Sequence, residues 1–348
     1  MLPLRGVVQH YAWGDKSAIP HILGTAADGR PWAEWWLGTH PGGPASTDGG
    51  TPLTEVAGEL PYLVKLLAAA APLSLQTHPD TETAIAGFER EEAAGTPVDN
   101  PRRVYRDRSA KPEVLIALTS FDALCGFRPL GDTEQLLHSI GATNLAGLLR
   151  TDGLEAAVSA LYRSAIDPVH VVRACRQHDS EEAHLVAELD RRYPADPSVV
   201  VTLFLNRVHL SPGEAIYLTP GNLHAYVHGV GVEVMSASDN VVRGGMTNKH
   251  VDVDELLRVL RFEPLADPVV TPLETAPGVW RYPTPDAPFA VTRLDVTGHM
   301  PYRSEGRSVL LCTDGDSGPL HHGEAAYLAP GDELVLAGPA TVWAVTEA

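Results

Sequence analysis

Three short stretches of this 348-residue chain place two polar side chains at alternate positions, each next to an apolar segment. The pairs are Gln76 with His78, Lys111 with Glu113, and His224 with Tyr226. Because alternate residues of a β-strand share a face, both members of each pair point in the same direction. Three such pairs predict the polar lining of one barrel. A single pair would more often be structural, since polar groups near strand ends usually satisfy the backbone.

Together the pairs offer two imidazoles, one carboxylate and one amide oxygen as metal ligands. These groups belong to Gln76, His78, Glu113 and His224. Imidazole combined with carboxylate is typical of zinc, and the oxygen ligands also tolerate manganese, cobalt or iron. We therefore predict one bound divalent metal ion, with Zn²⁺ as the first choice.

The composition excludes several classes of function. Lys and Arg total 26 against 44 Asp and Glu, and the net charge of −18 disfavours binding to nucleic acid or to a membrane surface. Three widely separated cysteines argue against a disulfide framework. The N-terminus lacks an apolar signal core, and the most apolar stretch, residues 62–75, contains Lys65 and is too short to span a bilayer. We expect a cytoplasmic protein.

Hydrophobic periodicity divides the chain into strand-rich and helical regions. Residues 1–80, 112–129 and 268–348 show strand and turn patterns, and the apolar run Val199–Leu205 is predicted to resume the strands after a helical block. That block, residues 131–193, carries Leu and Val at helical spacing and predicts several helices. Residues 81–95 suit a short helix with a Thr cap, and residues 252–262 suit another. The fold is predicted to be mostly β with a helical insertion.

An internal repeat lies in the strand-rich regions. Gly213–Gly221 and Gly323–Gly331 share seven of nine residues, and each is a short strand bracketed by turns. Duplication explains this similarity better than chance. The first copy continues to His224, whereas the second has Leu334 at the same offset. We therefore expect two related β units, of which only the first kept a polar site.

Seven segments carry motifs in a fixed order along residues 11–243. They are YAWG at 11–14, EWWLGTHP at 34–41, LSLQTHP at 73–79, KPE at 111–113, FDALCGFRP at 121–129, HAY at 224–226 and SDNVVR at 238–243. Together these motifs resemble those of the type I mannose-6-phosphate isomerase (phosphomannose isomerase) family. The combination is specific, although each motif alone is short.

The resemblance implies a fold and an activity. The fold would be a cupin-like double-stranded β-helix, or jelly roll, as the metal-binding catalytic domain (residues 1–130 and 196–262). A helical insertion domain (131–195) and a second jelly-roll domain without a metal site (263–348) would complete it. The activity would be metal-dependent interconversion of D-mannose 6-phosphate and D-fructose 6-phosphate, by proton transfer between C1 and C2 through a cis-enediol(ate). The enzyme would be a monomer, and its product would serve mannose breakdown or GDP-mannose supply.

The resemblance also assigns residues to roles. The ligands are again Gln76, His78, Glu113 and His224, and Arg243 is a catalytic residue. For the remaining catalytic residues we take Glu233 as the first candidate and Lys111 as another. The substrate-binding residues are Lys249 and Ser74 at the phosphate, Tyr226 at the sugar, and Trp13 and Glu34 at the rim. A carboxylate buried at Glu233 would have a pKa shifted towards neutral pH, which suits a base, and Lys111 and His78 are rival bases.

Other interpretations remain open for several of these residues. Glu233 could form a salt bridge with Arg243, Lys249 could belong to a solvated helix start, and Trp13 could be a core aromatic residue. Leu223 and Asn248 differ from the family motifs at the pocket edge. These differences motivate a second hypothesis, an isomerase of another phosphorylated or free aldose. A non-catalytic, sugar-binding cupin-type protein is a third.

Overall fold

The structure, a computed structural model, describes residues 1–348 and contains 21 β-strands and nine α-helices. The strands are β1 (Leu2–Arg5), β2 (Val7–Gln9), β3 (Glu34–Gly38), β4 (Ser46–Thr47), β5 (Tyr62–Ala69), β6 (Leu75–Thr77), β7 (Glu113–Ala117), β8 (Phe121–Phe127), β9 (Leu205–Leu210), β10 (Ala215–Leu218), β11 (His224–Ser236), β12 (Val242–Gly245), β13 (Val269–Val270), β14 (Leu273–Ala276), β15 (Val279–Tyr282), β16 (Phe289–Val296), β17 (His299–Arg303), β18 (Ser308–Gly315), β19 (Ala325–Leu328), β20 (Glu333–Ala337) and β21 (Ala340–Glu347). The helices are α1 (Ala18–Ile22), α2 (Leu53–Ala57), α3 (Thr81–Ala93), α4 (Leu130–Ile140), α5 (Thr143–Tyr162), α6 (Pro168–Cys175), α7 (Glu181–Arg192), α8 (Pro197–Val201) and α9 (Val253–Val259). The prediction of a mostly β chain with a helical insertion is confirmed.

The strands form two large antiparallel sheets and a small one. The 11-stranded sheet runs β13-β10-β7-β11-β5-β3-β2, and β6, β8, β9 and β12 attach to it through β11. The 8-stranded sheet runs β14-β15-β16-β21-β18-β19-β1-β4, and β17 pairs with β20. The first strand of the chain therefore joins the C-terminal strands, because β1 pairs with β19, rather than the sheet that contains the polar pairs described above.

Strand alternation separates the two faces of the larger sheet. Val64, Ile116 and Val232 belong to one apolar cluster with Phe289 and Trp343 of the 8-stranded sheet, so this face is the core between the sheets. The residues between them in β3, β5, β7 and β11 point to the opposite face. Charged and polar side chains are collected on that second face.

The helical block contains α4 to α7, as the periodicity predicts, and is extended by α8. These helices share an apolar cluster that includes Leu137, Leu161 and Val186 and extends to Leu75 and Leu223 near the sheet. Side chains of Asp167, Ser180 and Asp196 cap α6, α7 and α8 by accepting backbone N–H bonds. None of the helices is both long and apolar enough to cross a membrane.

Two local predictions are wrong. Val199–Leu205 is not a continuous strand, because α8 and a 3₁₀ turn (Thr202–Phe204) precede β9. Asp196 caps α8 and Pro197 occupies its first turn, and the following residues are buried on all sides, which leaves no helical period in the sequence. The cap of α3 is Asp80 rather than a threonine, and its side chain accepts from the Thr83 N–H.

The sequence repeat corresponds to matching structure in the two sheets. Gly213 and Gly323 both have positive φ, and they donate from N–H to the carbonyls of Ala117 in β7 and Cys312 in β18. The register places Leu218 opposite Glu113 and Leu328 opposite Ser308. The equivalent of the carboxylate Glu113 is therefore a serine in the second copy.

Candidate active site

One row of side chains crosses three strands of the larger sheet. Gln76 in β6 lies opposite His224 in β11 on one side and opposite Arg243 in β12 on the other. Neighbouring strands are about 4.8 Å apart, so the three side chains are close neighbours. Segments that are far apart in the chain thus meet because of antiparallel pairing.

The metal-ligand candidates converge beside this row. Ligand atoms of His78, Glu113 and His224 all lie within 4.8 Å of one another, and the three side chains are buried. Glu113 Oε2 is 3.3 Å from His78 Nε2 and 3.6 Å from His224 Nε2. Gln76 Nε2 lies 3.4 Å from His224 Nε2, and a half-turn of this amide places Oε1 at the same point. The structure therefore brings the four predicted ligands together.

Both imidazoles are oriented by backbone carbonyls. His78 Nδ1 donates to Asn240 O at 2.8 Å, and His224 Nδ1 donates to Asn222 O at 3.1 Å. In the neutral form of each ring, this bond keeps the proton on Nδ1. The lone pair of Nε2 then points into the cluster. Burial, together with the neighbouring His78, lowers the pKa of His224 to about 4, which keeps its imidazole neutral at physiological pH.

Two buried atoms in the cluster fit a bound cation. His78 Nε2 and Glu113 Oε2 have no hydrogen-bond partner, although buried polar atoms are normally paired. Burial acts to raise the pKa of Glu113, but Lys111 and the two imidazoles outweigh it and hold this pKa well below its usual range. Two imidazoles, an ionised carboxylate and an amide oxygen are ligands that a divalent ion such as zinc accepts. Lys111 Nζ meanwhile donates to Glu113 Oε1 at 3.0 Å.

A second polar cluster, centred on Lys65, occupies the same face of the sheet. Lys65 Nζ donates to Glu233 Oε2 at 2.9 Å and lies 3.5 Å from Glu34 Oε1. Tyr226 donates its hydroxyl to Glu233 Oε1 at 2.8 Å, and Trp36 Nε1 donates to Glu34 Oε2 at 2.8 Å. All five side chains are buried. Both oxygens of Glu233 are therefore held in place.

The electrostatics of this cluster favour a proton-accepting carboxylate. Burial raises the pKa of Glu233, with Lys65 opposing and the carboxylates of Glu113 and Glu34 adding to the rise. Burial acts to lower the pKa of Lys65, but Glu233 and Glu34 reverse this and raise it, so the ammonium stays charged. Glu233 does not pair with Arg243, and the alternative of that salt bridge is wrong.

A β-bulge decides that Glu233 shares the pocket with His224 and Tyr226. Positions 224 and 226 are even and position 233 is odd, so regular alternation would put them on opposite faces. The register of β11 against β8 shifts between Tyr226 and His228, which inserts one extra residue. This bulge reverses the parity of the strand and returns Glu233 to the polar face.

Cations gather at the edge of the site next to β12. Burial and the nearby Arg106 lower the pKa of Arg243, and burial with Arg243 and Arg106 lowers that of Lys249. The charges that act on Arg243 and Lys249 thus come only from other cations. Three mutually repelling cations without a carboxylate partner form a ready site for an anion such as phosphate.

The remaining predicted residues lie around these clusters. Trp13 stacks on Tyr11, with ring centroids 5.8 Å apart, and packs against the apolar cluster that includes Tyr226. Ser74 is half-buried just before β6, one residue from Leu75, which lies opposite Gly245 of β12. Leu223, which directly precedes His224, is fully buried and belongs to the apolar cluster of the helical region.

Three functional candidates were missed at the level of sequence. Lys65 is the only charged residue in the apolar stretch 62–75. It is buried and lies on the same face of β5 as Leu63 and Leu67. Arg106 has no local motif. Asp239 pairs with His40 Nε2 at 3.3 Å, and this hydrogen bond lowers the pKa of the carboxyl group. The lysine inside a buried strand was the one detectable signal, because burial of an unpaired ammonium is costly.

Comparisons with known proteins point to a single family. A sequence profile described as the catalytic domain of type I phosphomannose isomerase matches residues 1–56 and 50–130. The chain is 31% identical to the mannose-6-phosphate isomerase of Escherichia coli K12 over 388 residues, which covers 98% of this chain and 97% of the relative. It is 30% identical to mannose-6-phosphate isomerase 1 of Arabidopsis thaliana, with 96% and 88% covered.

Solved structures show the same likeness. The mannose 6-phosphate isomerase of Salmonella typhimurium, bound to its substrate fructose 6-phosphate and to zinc, is 30% identical with a TM-score of 0.85. The match covers 100% of this chain and 99% of the other. The apo form of that enzyme is similar to the same degree, with a TM-score of 0.85 and 29% identity over 100% and 99% of the two chains.

Proposed function

The chain belongs to the type I phosphomannose isomerase family, and we propose that it interconverts D-mannose 6-phosphate and D-fructose 6-phosphate with a metal ion, zinc first, held by Gln76, His78, Glu113 and His224. The observation that carries the ligand assignment is the pair of buried, unpartnered atoms His78 Nε2 and Glu113 Oε2. When bound, the ion supplies a Lewis acid for the substrate oxygens.

Glu233 is the proposed base for the proton that moves between C1 and C2 through a cis-enediol(ate). Its raised pKa brings it towards the working pH, whereas the pKa of Asp239 is lowered and makes that carboxylate a weaker base. His78 is a weaker candidate for the base because both of its ring nitrogens are in use. Nδ1 donates to the Asn240 carbonyl, and Nε2 points to the metal cluster. Lys111 donates to Glu113 and holds this ligand ionised. Lys65 and Tyr226 align Glu233 for the transfer.

Arg243, Lys249 and Arg106 are the proposed anchor for the substrate phosphate, with Ser74 as a further donor. Arg243 lies in the same row as Gln76 and His224, so it also reaches substrate oxygens near the metal. A phosphate held at one end and sugar oxygens held at the other place C1 and C2 within reach of Glu233. Trp13 and Glu34 complete the pocket wall, and Tyr226 shapes the sugar site.

The finer architecture is proposed on the same basis. The metal-binding domain (residues 1–130 and 196–262) is proposed as a cupin-like jelly roll with a helical insertion (131–195). Its β1 and β4 pair in the 8-stranded sheet, and β13 of the C-terminal region pairs in the 11-stranded sheet. A second jelly roll (263–348) lacks a metal site, which the Ser308 counterpart of Glu113 supports. We also propose a cytoplasmic monomer that acts on a free sugar phosphate, and three free, buried cysteines fit a reducing compartment.

The direct experiment measures activity against metal content. The purified protein is stripped with a chelator, reloaded with zinc, and assayed for fructose 6-phosphate formation from mannose 6-phosphate in a coupled assay. We expect activity to be lost with the metal and restored in proportion to bound zinc. A protein that binds zinc but converts no mannose 6-phosphate would contradict the proposal, and comparing kcat/KM with free mannose and other aldose phosphates would test the related substrate class.

A further inference from the structure

Two loops that border the site are joined through a single carboxylate. Asp107 lies in the loop before β7, and Ser238–Asn240 lie in the loop between β11 and β12. Asp107 Oδ2 accepts from the Asp239 N–H at 2.9 Å and from the Ser238 hydroxyl at 3.0 Å. Asp107 Oδ1 accepts from Asn240 Nδ2 at 3.1 Å. One carboxylate thus binds three consecutive residues of the opposite loop.

Asn240 completes the connection from the other side. Its Nδ2 donates to the carbonyls of Asp107 and Ser109, both at 2.9 Å. Its Oδ1 accepts from the backbone N–H of Arg106 at 2.7 Å and of Asp107 at 3.2 Å. The side chain is fully buried. A buried amide with both ends saturated has one orientation, so the two loops have one relative position.

Each of the two loops joined in this way contributes to both the metal cluster and the cation group. The Asn240 carbonyl accepts the Nδ1 proton of the metal-ligand candidate His78 at 2.8 Å, and the chain reaches Arg243 three residues later. Arg106, on the other loop, belongs to the cation group, and that loop continues to Glu113. Movement at Asn240 would therefore displace a ligand and the cations relative to each other.

We propose that Asp107 and Asn240 are positioning residues, a clasp that holds the two loops in one arrangement and so aligns the metal cluster with the phosphate-binding cations. This inference rests on the proposed function, because only a sugar phosphate touches the metal cluster and the cations at once. A displacement of about 1 Å costs up to about 100-fold in rate when both ends of a substrate are held. Inorganic phosphate contacts only the cations, so it senses the separation of Arg106 from Arg243 but not their distance from the metal cluster.

The test compares Asp107→Asn with a matched control, Asp167→Asn. In the Asp107→Asn variant, an NH₂ group replaces a carboxylate oxygen and faces the donors of Ser238, Asp239 or Asn240. The control residue, Asp167, lies outside the site and caps α6 by accepting one bond from the Val169 N–H. The measurements on zinc-loaded protein are kcat and KM for mannose 6-phosphate, the inhibition constant of inorganic phosphate, zinc content and the melting temperature.

For Asp107→Asn we expect kcat/KM to fall by about 10- to 100-fold. Zinc should remain stoichiometric, and the inhibition constant of phosphate should rise by clearly less than kcat/KM falls, because phosphate senses only the separation of Arg106 from Arg243 whereas the substrate must also reach the metal cluster. The control should stay close to the wild type in kcat/KM. A merely structural role would lower the melting temperature of Asp107→Asn, but not of the control, without separating catalysis from phosphate binding.

The clasp is refuted if kcat/KM of Asp107→Asn equals that of the control, or if phosphate binding is lost in parallel with turnover. Should Asp107→Asn fail to fold, Ser238→Ala removes one hydroxyl donor, and we expect it to lower kcat/KM by about threefold to tenfold. No change in that variant also refutes the clasp. An inactive, zinc-loaded wild type overturns the proposed function itself, whereas an active wild type with an unaffected clasp variant overturns the clasp alone.

Discussion

Replacing Lys65 by Met tests the electrostatics on which the proposed base depends. Met has a similar length and no charge, and the Lys65 side chain is only 8% exposed, so the change removes one buried cation between two carboxylates. Glu233 would then face Glu34 and Glu113 with no ammonium at 2.9 Å. Burial already raises the pKa of Glu233, and loss of Lys65, which opposes that rise, raises the pKa further.

The magnitude has an upper limit, because Glu233 can escape the penalty by binding a proton. At pH 7, which is about 2.5 units above the ordinary pKa of 4.5, protonation costs about 3.4 kcal/mol, and at pH 5 it costs about 0.7 kcal/mol. A carboxyl group whose pKa is raised by folding destabilises the protein as pH rises from 4.5 through the folded pKa. The stability deficit of Lys65→Met should therefore be larger at pH 7 than at pH 5.

The assay is urea unfolding at pH 5, 6 and 7, combined with pH profiles of kcat/KM. We expect Lys65→Met to lose up to about 3 kcal/mol of unfolding free energy at pH 7 and about 1 kcal/mol or less at pH 5. Its kcat/KM should fall by at least about 100-fold, with the acidic limb of the profile moved to higher pH. The Lys65→Arg control retains the charge and should recover most of the stability at pH 7.

Two results would refute this reasoning. An equal stability deficit at pH 5 and pH 7 would show that Glu233 does not titrate against Lys65. An acidic limb at the same pH in both proteins would remove Glu233 from the role of base, whatever the loss of rate.

Three further predictions concern the cations, the metal and a buried hydroxyl. Arg106→Ala should raise KM for mannose 6-phosphate by about tenfold or more, through loss of one charge-assisted contact to phosphate, and Arg102→Ala, an exposed neighbour, should not. His224→Ala should abolish stoichiometric zinc binding, measured by metal analysis after dialysis, and activity with it, since one of four ligands is lost. Thr77→Val should raise the unfolding free energy by about 1 kcal/mol with unchanged kcat, because the buried Thr77 hydroxyl has no hydrogen-bond partner; a destabilised variant would instead imply a bridging water.

Local periodicity was enough to select the four side chains that the structure brings together. Gln76, His78, Glu113 and His224 stand at alternate positions beside apolar strands, and alternation is a property of each strand alone. The helical block and the repeat followed for the same reason, since both are patterns within short windows. The same method failed at Val199–Leu205, where residues buried on every side leave no period to detect.

Tertiary structure decided how these residues form one site. The partner of Glu233 is Lys65, 168 positions away, and this pairing depends on the register of β11 against β5. Without the bulge after Tyr226, regular alternation would point Glu233 into the core between the sheets. No local sequence pattern indicates that bulge. The cation group and the Asp107–Asn240 connection join loops more than 130 positions apart. The sequence by itself therefore determined which side chains are available, because residue type and alternation are local. Only the folded sheet decided which of them meet, because cross-strand register and loop contact are long-range.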